Sequence, residues 1–221
     1  AACFGSSDGI ATASGAGGTP PYTYQWFNQN YVSFSANDTA FNLSSGTYYL
    51  EVEDANGCDT FTTVQVISPA SPLTGSPQIF GVPCKGDSSG YIVGDAGGSY
   101  APYQYYWLDN SGDTLRSTSY TFSRDTLSAL TANNYTLHVY DAQGCFIEYI
   151  MQVGEPALAL SIDSMMTVRD IDCYGDSVGQ ATFIVSGGMP FYTYLWDNNE
   201  DSIIATSLTS GYHSVSVTDT W

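Results

Sequence analysis

Large apolar side chains alternate with polar ones along short stretches of this chain, and the alternation recurs. Residues 21–26 read PYTYQW, residues 102–107 read PYQYYW and residues 191–196 read FYTYLW. Tyr22, Tyr24 and Trp26 fall on one face, with Thr23 and Gln25 on the other. Tyr103, Tyr105 and Trp107 repeat the arrangement, as do Tyr192, Tyr194 and Trp196. A period of two predicts a β-strand with one buried face, so these aromatic residues are expected in a core. A later stretch alternates likewise. Tyr48, Leu50 and Val52 oppose Tyr49, Glu51 and Glu53; Tyr135, Leu137 and Val139 oppose Thr136, His138 and Tyr140; His213, Val215 and Val217 form the third inward row. Two inward rows of large side chains require a second sheet to cover them. No long stretch has the helical period, and turn residues recur about every 8 to 12 positions. The fold expected is all-β: three tandem immunoglobulin-like antiparallel β-sandwiches of about seven strands each, the third incomplete at its C-terminal side.

The repeats extend beyond the aromatic hexamers. CFGSSDGIA, CKGDSSGYI and CYGDSVGQA open the copies at Cys3, Cys84 and Cys173, and glycine pairs led by Gly17, Gly97 and Gly187 follow. The copies close on GTYYLEVEDANGC (46–58), NNYTLHVYDAQGC (133–145) and GYHSVSVTDTW (211–221), the last stopping two residues short of a matching cysteine. This spacing divides the chain into units 1–73, 74–157 and 158–221, joined by the short segments SPASPL and GEPALAL, which favour limited swing. Pairing each opening cysteine with the closing cysteine of its own copy predicts disulfides Cys3–Cys58 and Cys84–Cys145, with Cys173 unpaired and a single free thiol. A disulfide closing so long a loop adds roughly 2 to 4 kcal/mol to a small sandwich. Leu43, Gly46 and Tyr48 match a corner in which a tyrosine hydroxyl bonds nearby backbone. Asn56-Gly57 suits a hairpin turn, and Asp54, Asp141 and Asp219 stand where a carboxylate caps free turn amides.

Charge and composition narrow the function. The 22 acidic residues against 4 basic ones give a net charge of −18, a surface that repels nucleic acid and anionic headgroups. No run of about 18 apolar residues is present, so direct membrane insertion is not expected. Five cysteines without a CxxC pair, and only two histidines, favour disulfides in an oxidising, extracellular setting over a zinc site. His138 and His213 stand at places the other copies fill differently, and no GxSxG elbow occurs, so an enzyme is not expected. No cofactor is expected. Calcium is the one metal with any case, resting on the turn acids Asp8, Asp87 and Asp176, but their positions shift between copies and no DxDxDG loop is present. Tyr49, Tyr106, Tyr140 and Tyr212 point outward and are the candidates for an adhesive surface toward an unidentified surface or glycan ligand.

The joint pattern C-x-G-x(2,3)-G, GG-x-P-x-Y-x-Y-x-W and G-T-Y-x-L-x-V-x-D-A-N-G-C resembles the SprB repeat of Bacteroidota surface proteins, over essentially the whole chain. Phe191 in place of Pro21, His213 in place of Tyr48 and one extra residue before the second hexamer are the departures. The resemblance implies very long cell-surface proteins exported by type IX secretion, gliding-motility adhesins among them. The function expected is a stalk segment of a long extracellular adhesin or filament that attaches to surfaces or other cells, with neighbouring repeats of the same chain, and other copies in a filament, as the expected partners. The alternatives are a laterally packed subunit of a multi-stranded appendage, as in prey capture, and an accessory module of a secreted hydrolase. Asp-Ser/Thr pairs at Thr39, Thr114, Thr126, Ser164, Ser177 and Ser202 are similar to the O-glycan acceptor motif of the same bacteria.

Overall fold

Residues 1–121 and 123–220 are described by a computed structural model. All regular structure among them is β-strand. In the first unit β1 (Gly9–Thr12) pairs with β4 (Thr39–Leu43). The facing sheet orders β3 (Ser33–Ser35), β2 (Thr23–Phe27), β5 (Gly46–Glu53) and β6 (Asp59–Val66). Among its described residues the second unit has seven strands. One sheet runs β7 (Gln78–Phe80), β8 (Gly90–Asp95), β11 (Arg124–Leu130); the other runs β10 (Thr114–Ser117), β9 (Gln104–Leu108), β12 (Asn133–Tyr140), β13 (Phe146–Val153). In the third, β14 (Ser161–Arg169), β15 (Gly179–Ser186) and β17 (Ile204–Leu208) face β16 (Thr193–Trp196) paired with β18 (Val215–Thr218). All pairings are antiparallel, which gives the tandem immunoglobulin-like sandwiches expected from the alternation.

Each sandwich encloses its own core around one tryptophan. Trp26 packs with Ala11, Ala40, Leu43 and Leu50; Trp107 with Ile92, Tyr105, Leu137 and Val139; Trp196 with Phe183, Ala205 and Leu208. A buried indole N–H needs an acceptor. Trp26 donates to the Asn37 carbonyl and Trp196 to that of Ser202, both at 2.9 Å, whereas Trp107 donates to the Asp125 carboxylate at 2.7 Å. Arg116 donates to the other oxygen of Asp125 at 2.7 Å, so the buried carboxylate is paired.

The hexamer tyrosines divide by position. Tyr103, Tyr105 and Tyr135 are buried, and Tyr24, Tyr48 and Tyr194 are half-buried against their cores. Tyr22 and Tyr192 are half-buried outside the clusters. Their hydroxyls donate to the carbonyls of Gly17 and Gly187, as that of Tyr103 does to Gly98, with oxygens 2.5 to 2.6 Å apart. The first tyrosine of the hexamer therefore clamps the preceding glycine loop. The corner is present in every unit: Tyr48 donates to Ser44 O, Tyr135 to Thr131 O, and His213 takes the tyrosine's place with Nε2 2.9 Å from Thr209 O.

The expected disulfides are corrected. Cys3 is bonded to Cys145, with Cα atoms 5.7 Å apart, while Cys58, Cys84 and Cys173 are free and exposed. Cys3–Cys58 and Cys84–Cys145 are excluded by strand length. Gly9 is opposite Leu43 and Gly46 opposite Val66, so the opening loop lies at the trailing end of its sandwich. Cys58 follows the far end of β5, eight residues and about 26 Å away. Cys145 occupies that same far, leading end of the second sandwich, which faces the joint.

Candidate functional site

The outward faces of the four-stranded sheets carry the candidate adhesive residues. In the second unit, Tyr106 lies opposite His138 in the β9–β12 register, and His138 opposite Glu148 in β12–β13. Alternation turns these side chains outward because Tyr105, Trp107, Leu137 and Val139 take the core. Tyr106 meets Tyr140 edge-on at 5.5 Å between centroids, and Tyr140 stacks on Phe146 at 5.4 Å. The His138 ring lies 6.2 Å from that of Phe146, and its Nε2 is 2.8 Å from Glu148. Gln104, Tyr106, Tyr120, His138 and Tyr140 line a shallow depression of about 230 Å³.

The first unit builds a different surface from the matching strands. Tyr31 stacks on Tyr49 at 4.4 Å, and Phe27 approaches Phe61 at 6.4 Å. The neighbouring Tyr49 pushes the Tyr31 phenol above its ordinary value. In the third unit Leu195 and Ser216 occupy the corresponding pair, and Tyr212 stands fully exposed. Three of the four tyrosines singled out thus belong to aromatic clusters. Phe27, Tyr31, Phe61 and Phe146 complete those clusters, and Tyr120 adds to the lining of the depression. Phe61 and Phe146 were legible as outward positions of the strand after each closing cysteine. Stacked rings beside Glu51 or Glu148 can hold the apolar face of a sugar or peptide while a carboxylate accepts its hydroxyl or amide hydrogens.

The other candidates are placed individually. Thr114, Thr126, Ser164, Ser177 and Ser202 are exposed and Thr39 is half-buried. Asp8 accepts from Ser6 Oγ and from Ala2 N, and the Ser6 bond first, then that of Ala2, holds its carboxyl below the usual range. Asp87 accepts from Ser88 N. Among the described residues no three His, Cys, Asp or Glu side chains gather as metal ligands.

The Asp54 series ties each closing turn to the glycine loop. Asp54 accepts from the amides of Thr19, Asn56 and Cys58 at 2.9 to 3.0 Å. Buried Asp141 accepts from Ser99 Oγ and from the amides of Gln143 and Cys145. Asp219 accepts from Met189 N at 2.9 Å. The bond from the Cys58 amide, then that from Thr19, holds the Asp54 carboxyl below its ordinary value.

Both joints are seated on the next unit's glycine loop. Ser71 O accepts from Ser99 N at 3.1 Å, and Leu158 O from Gly188 N at 2.9 Å. A Cβ on Gly98 would lie 2.1 Å from Pro72 O, and one on Gly187 1.9 Å from Ala159 O, so only glycine admits the joint so closely. Buried Pro69 and Pro156 fix the start of each joint.

Residues 1–30 and 166–201 match the SprB repeat family, which bears out the resemblance in the first and third units. No curated protein matches the chain. Among solved structures, the N-terminal eight Ig domains of Down Syndrome Cell Adhesion Molecule are similar at 13% identity and a TM-score of 0.41 over 79% of this chain, which spans 25% of that one. The amphioxus IgVJ-C2 molecule aligns at 12% identity and a TM-score of 0.26, covering 68% of this chain and 98% of that one. The central fibronectin-III array of RIM-binding protein gives 12% and 0.25 over 93% and 80%.

Proposed function

We propose that this chain, with SprB repeat sequence in its first and third units, is a stalk segment of an extracellular repeat adhesin. It carries attachment at the bacterial surface and has no catalytic role. The observation that carries this reading is the serial construction: each sandwich has a separate core, each joint is seated on the next glycine loop, and a disulfide clips the first two units together. Such a chain transmits tension and holds its reach. The net charge of −18 limits collapse onto like-charged neighbours. The disulfide fits export into an oxidising compartment, and the SprB relationship supports a type IX substrate of Bacteroidota. The aromatic faces of the first two units are where a surface or glycan would bind, and the exposed Asp-Ser/Thr sites are where O-glycans would be attached.

Immunogold labelling of intact cells with antibody to this chain tests the reading. Gold along thin single threads outside the cell is the expected result, and an intracellular signal would overturn it. Lateral packing in a multi-stranded appendage is the second reading. It is favoured by the exposed Ile162, Met165, Met166 and Val168 on β14, and gold confined to thick symmetric bundles would select it.

A further inference from the structure

We propose that Cys58, Cys84 and Cys173 are the remaining halves of a disulfide ladder, in which the opening cysteine of each repeat is bonded to the turn cysteine of the next repeat along the chain. The partner of each free thiol is therefore another repeat of the same kind, presenting a cysteine of the opposite type. This stands apart from what the array attaches to.

The local backbone supports the equivalence. Behind each opening cysteine the same turn closes: Ser6 N to Cys3 O, Asp87 N to Cys84 O and Asp176 N to Cys173 O, at 3.1 to 3.2 Å. Each turn has its glycine at positive φ: Gly5 at 73°, Gly86 at 81° and Gly175 at 90°. The two turn cysteines also match. Asp54 N bonds Cys58 O at 3.0 Å and Asp141 N bonds Cys145 O at 2.9 Å, while the Cys58 and Cys145 amides return to Oδ1 of the same aspartates. Only one opening cysteine and one turn cysteine of this set have their partners within the described residues, and those two are bonded.

A second observation concerns the joints. Between Cys3 and Cys145 the connection runs from Ala1 N to Ile67 O, from Ser99 N to Ser71 O, and from Ser99 Oγ to Asp141. The next joint has corresponding contacts: Val82 N, two residues before Cys84 as Ala1 is before Cys3, donates to Gly154 O at 2.7 Å. Beside Cys84, Lys85 and Gly86 N are held by Glu155 at 3.1 and 2.7 Å. Leu158 O receives Gly188 N, and Met189 N is bonded to Asp219. Asp219 thus holds the place of Asp141, and the partner of Cys84 belongs four residues beyond it. By the same rule the partner of Cys58 is an opening cysteine and that of Cys173 a turn cysteine.

The chemistry is thiol–disulfide exchange with a small disulfide oxidant, oxidised glutathione in the test. A cysteine thiolate attacks one glutathione sulfur, forms a mixed disulfide and releases one glutathione thiolate. The partner thiolate then displaces the second glutathione, so the two protein thiols are oxidised and one glutathione disulfide is reduced to two thiols.

The test extends the chain past Asp219 with the residues that follow Asp54, positions 55–66, which supplies a turn cysteine and its strand. Three thiols are free before extension, so adding one cysteine leaves two if it pairs with any of them and four if it stays free. Two free thiols after glutathione oxidation, with Cys84 linked to the grafted cysteine by peptide mapping, is the expected result. Four free thiols, or a link from the graft to Cys173, would overturn the ladder. Covalent dimers of the unextended chain provide an independent measurement. Links joining Cys58 to Cys84 or Cys173 should predominate, and like-to-like links at the frequency of random collision would refute the proposal.

Discussion

At the scale of single residues, the corner and the turn cap make opposite pH signatures. His213 Nε2 faces Thr209 O at 2.9 Å and Nδ1 faces Asp197 at 3.1 Å, so both nitrogens donate only when the ring is protonated. The Thr209 carbonyl first, and then Asp197, raise its pKa above the ordinary value of 6.5. A raised folded pKa contributes stability that is complete below 6.5 and is lost as pH rises through the folded value. Asp54 is the reverse case: its folded pKa is depressed, so its contribution is present above 3.8 and is lost as pH falls through the folded value. Resolved by hydrogen exchange, the third unit should loosen as pH rises above 6.5 and the first as pH falls below 3.8. His213→Tyr, which restores the residue of the other units, should abolish only the alkaline loss. Asp141 is fully buried, and Asp141→Ala strands several turn amides; roughly 3 kcal/mol of second-unit stability should disappear in a denaturant titration.

At the scale of elements, the joints carry the mechanical argument. Gly98 combines φ +73° with backbone contact to Pro72, whereas Gly112, at φ +87°, has open space where a Cβ would go. Gly98→Ala should cost about 1 to 3 kcal/mol and expose residues 68–74 to limited proteolysis, because the joint must lift from its seat. Gly112→Ala carries only the conformational penalty and should leave the cleavage pattern unchanged. Equal cleavage in the two variants would show that the seat does not hold the joint.

At the scale of the whole molecule, the clip changes the path of tension. A pull on the two termini passes through the sulfurs and bypasses the chain between Cys3 and Cys145, a separation of 142 residues. Reduction, or Cys145→Ser, should release additional extension of about 500 Å in single-molecule stretching, at about 3.5 Å per residue. Equal contour lengths before and after reduction would exclude the clip. The unreduced chain should also titrate with three thiols, corresponding to Cys58, Cys84 and Cys173.

Periodicity and turn residues determined the strands, the buried tryptophans, the tyrosine corner and the aspartates that cap their own turns, because each depends on residues within one strand or one turn, whereas the bond from Thr19 N to Asp54 was set by the fold. Alternation also put Tyr49, Tyr106 and Tyr140 on the outer face, although it could not bring Tyr31 onto Tyr49, since a loop conformation sets that contact. Counting cysteines by repeat led to the wrong pairing. The sequence puts Cys3 and Cys58 in one unit, but β5 separates them by its full length, and the joint turns the trailing end of one sandwich onto the leading end of the next. Only the tertiary arrangement decides which sulfurs meet, because a disulfide requires proximity in space and the repeat pattern specifies only order along the chain.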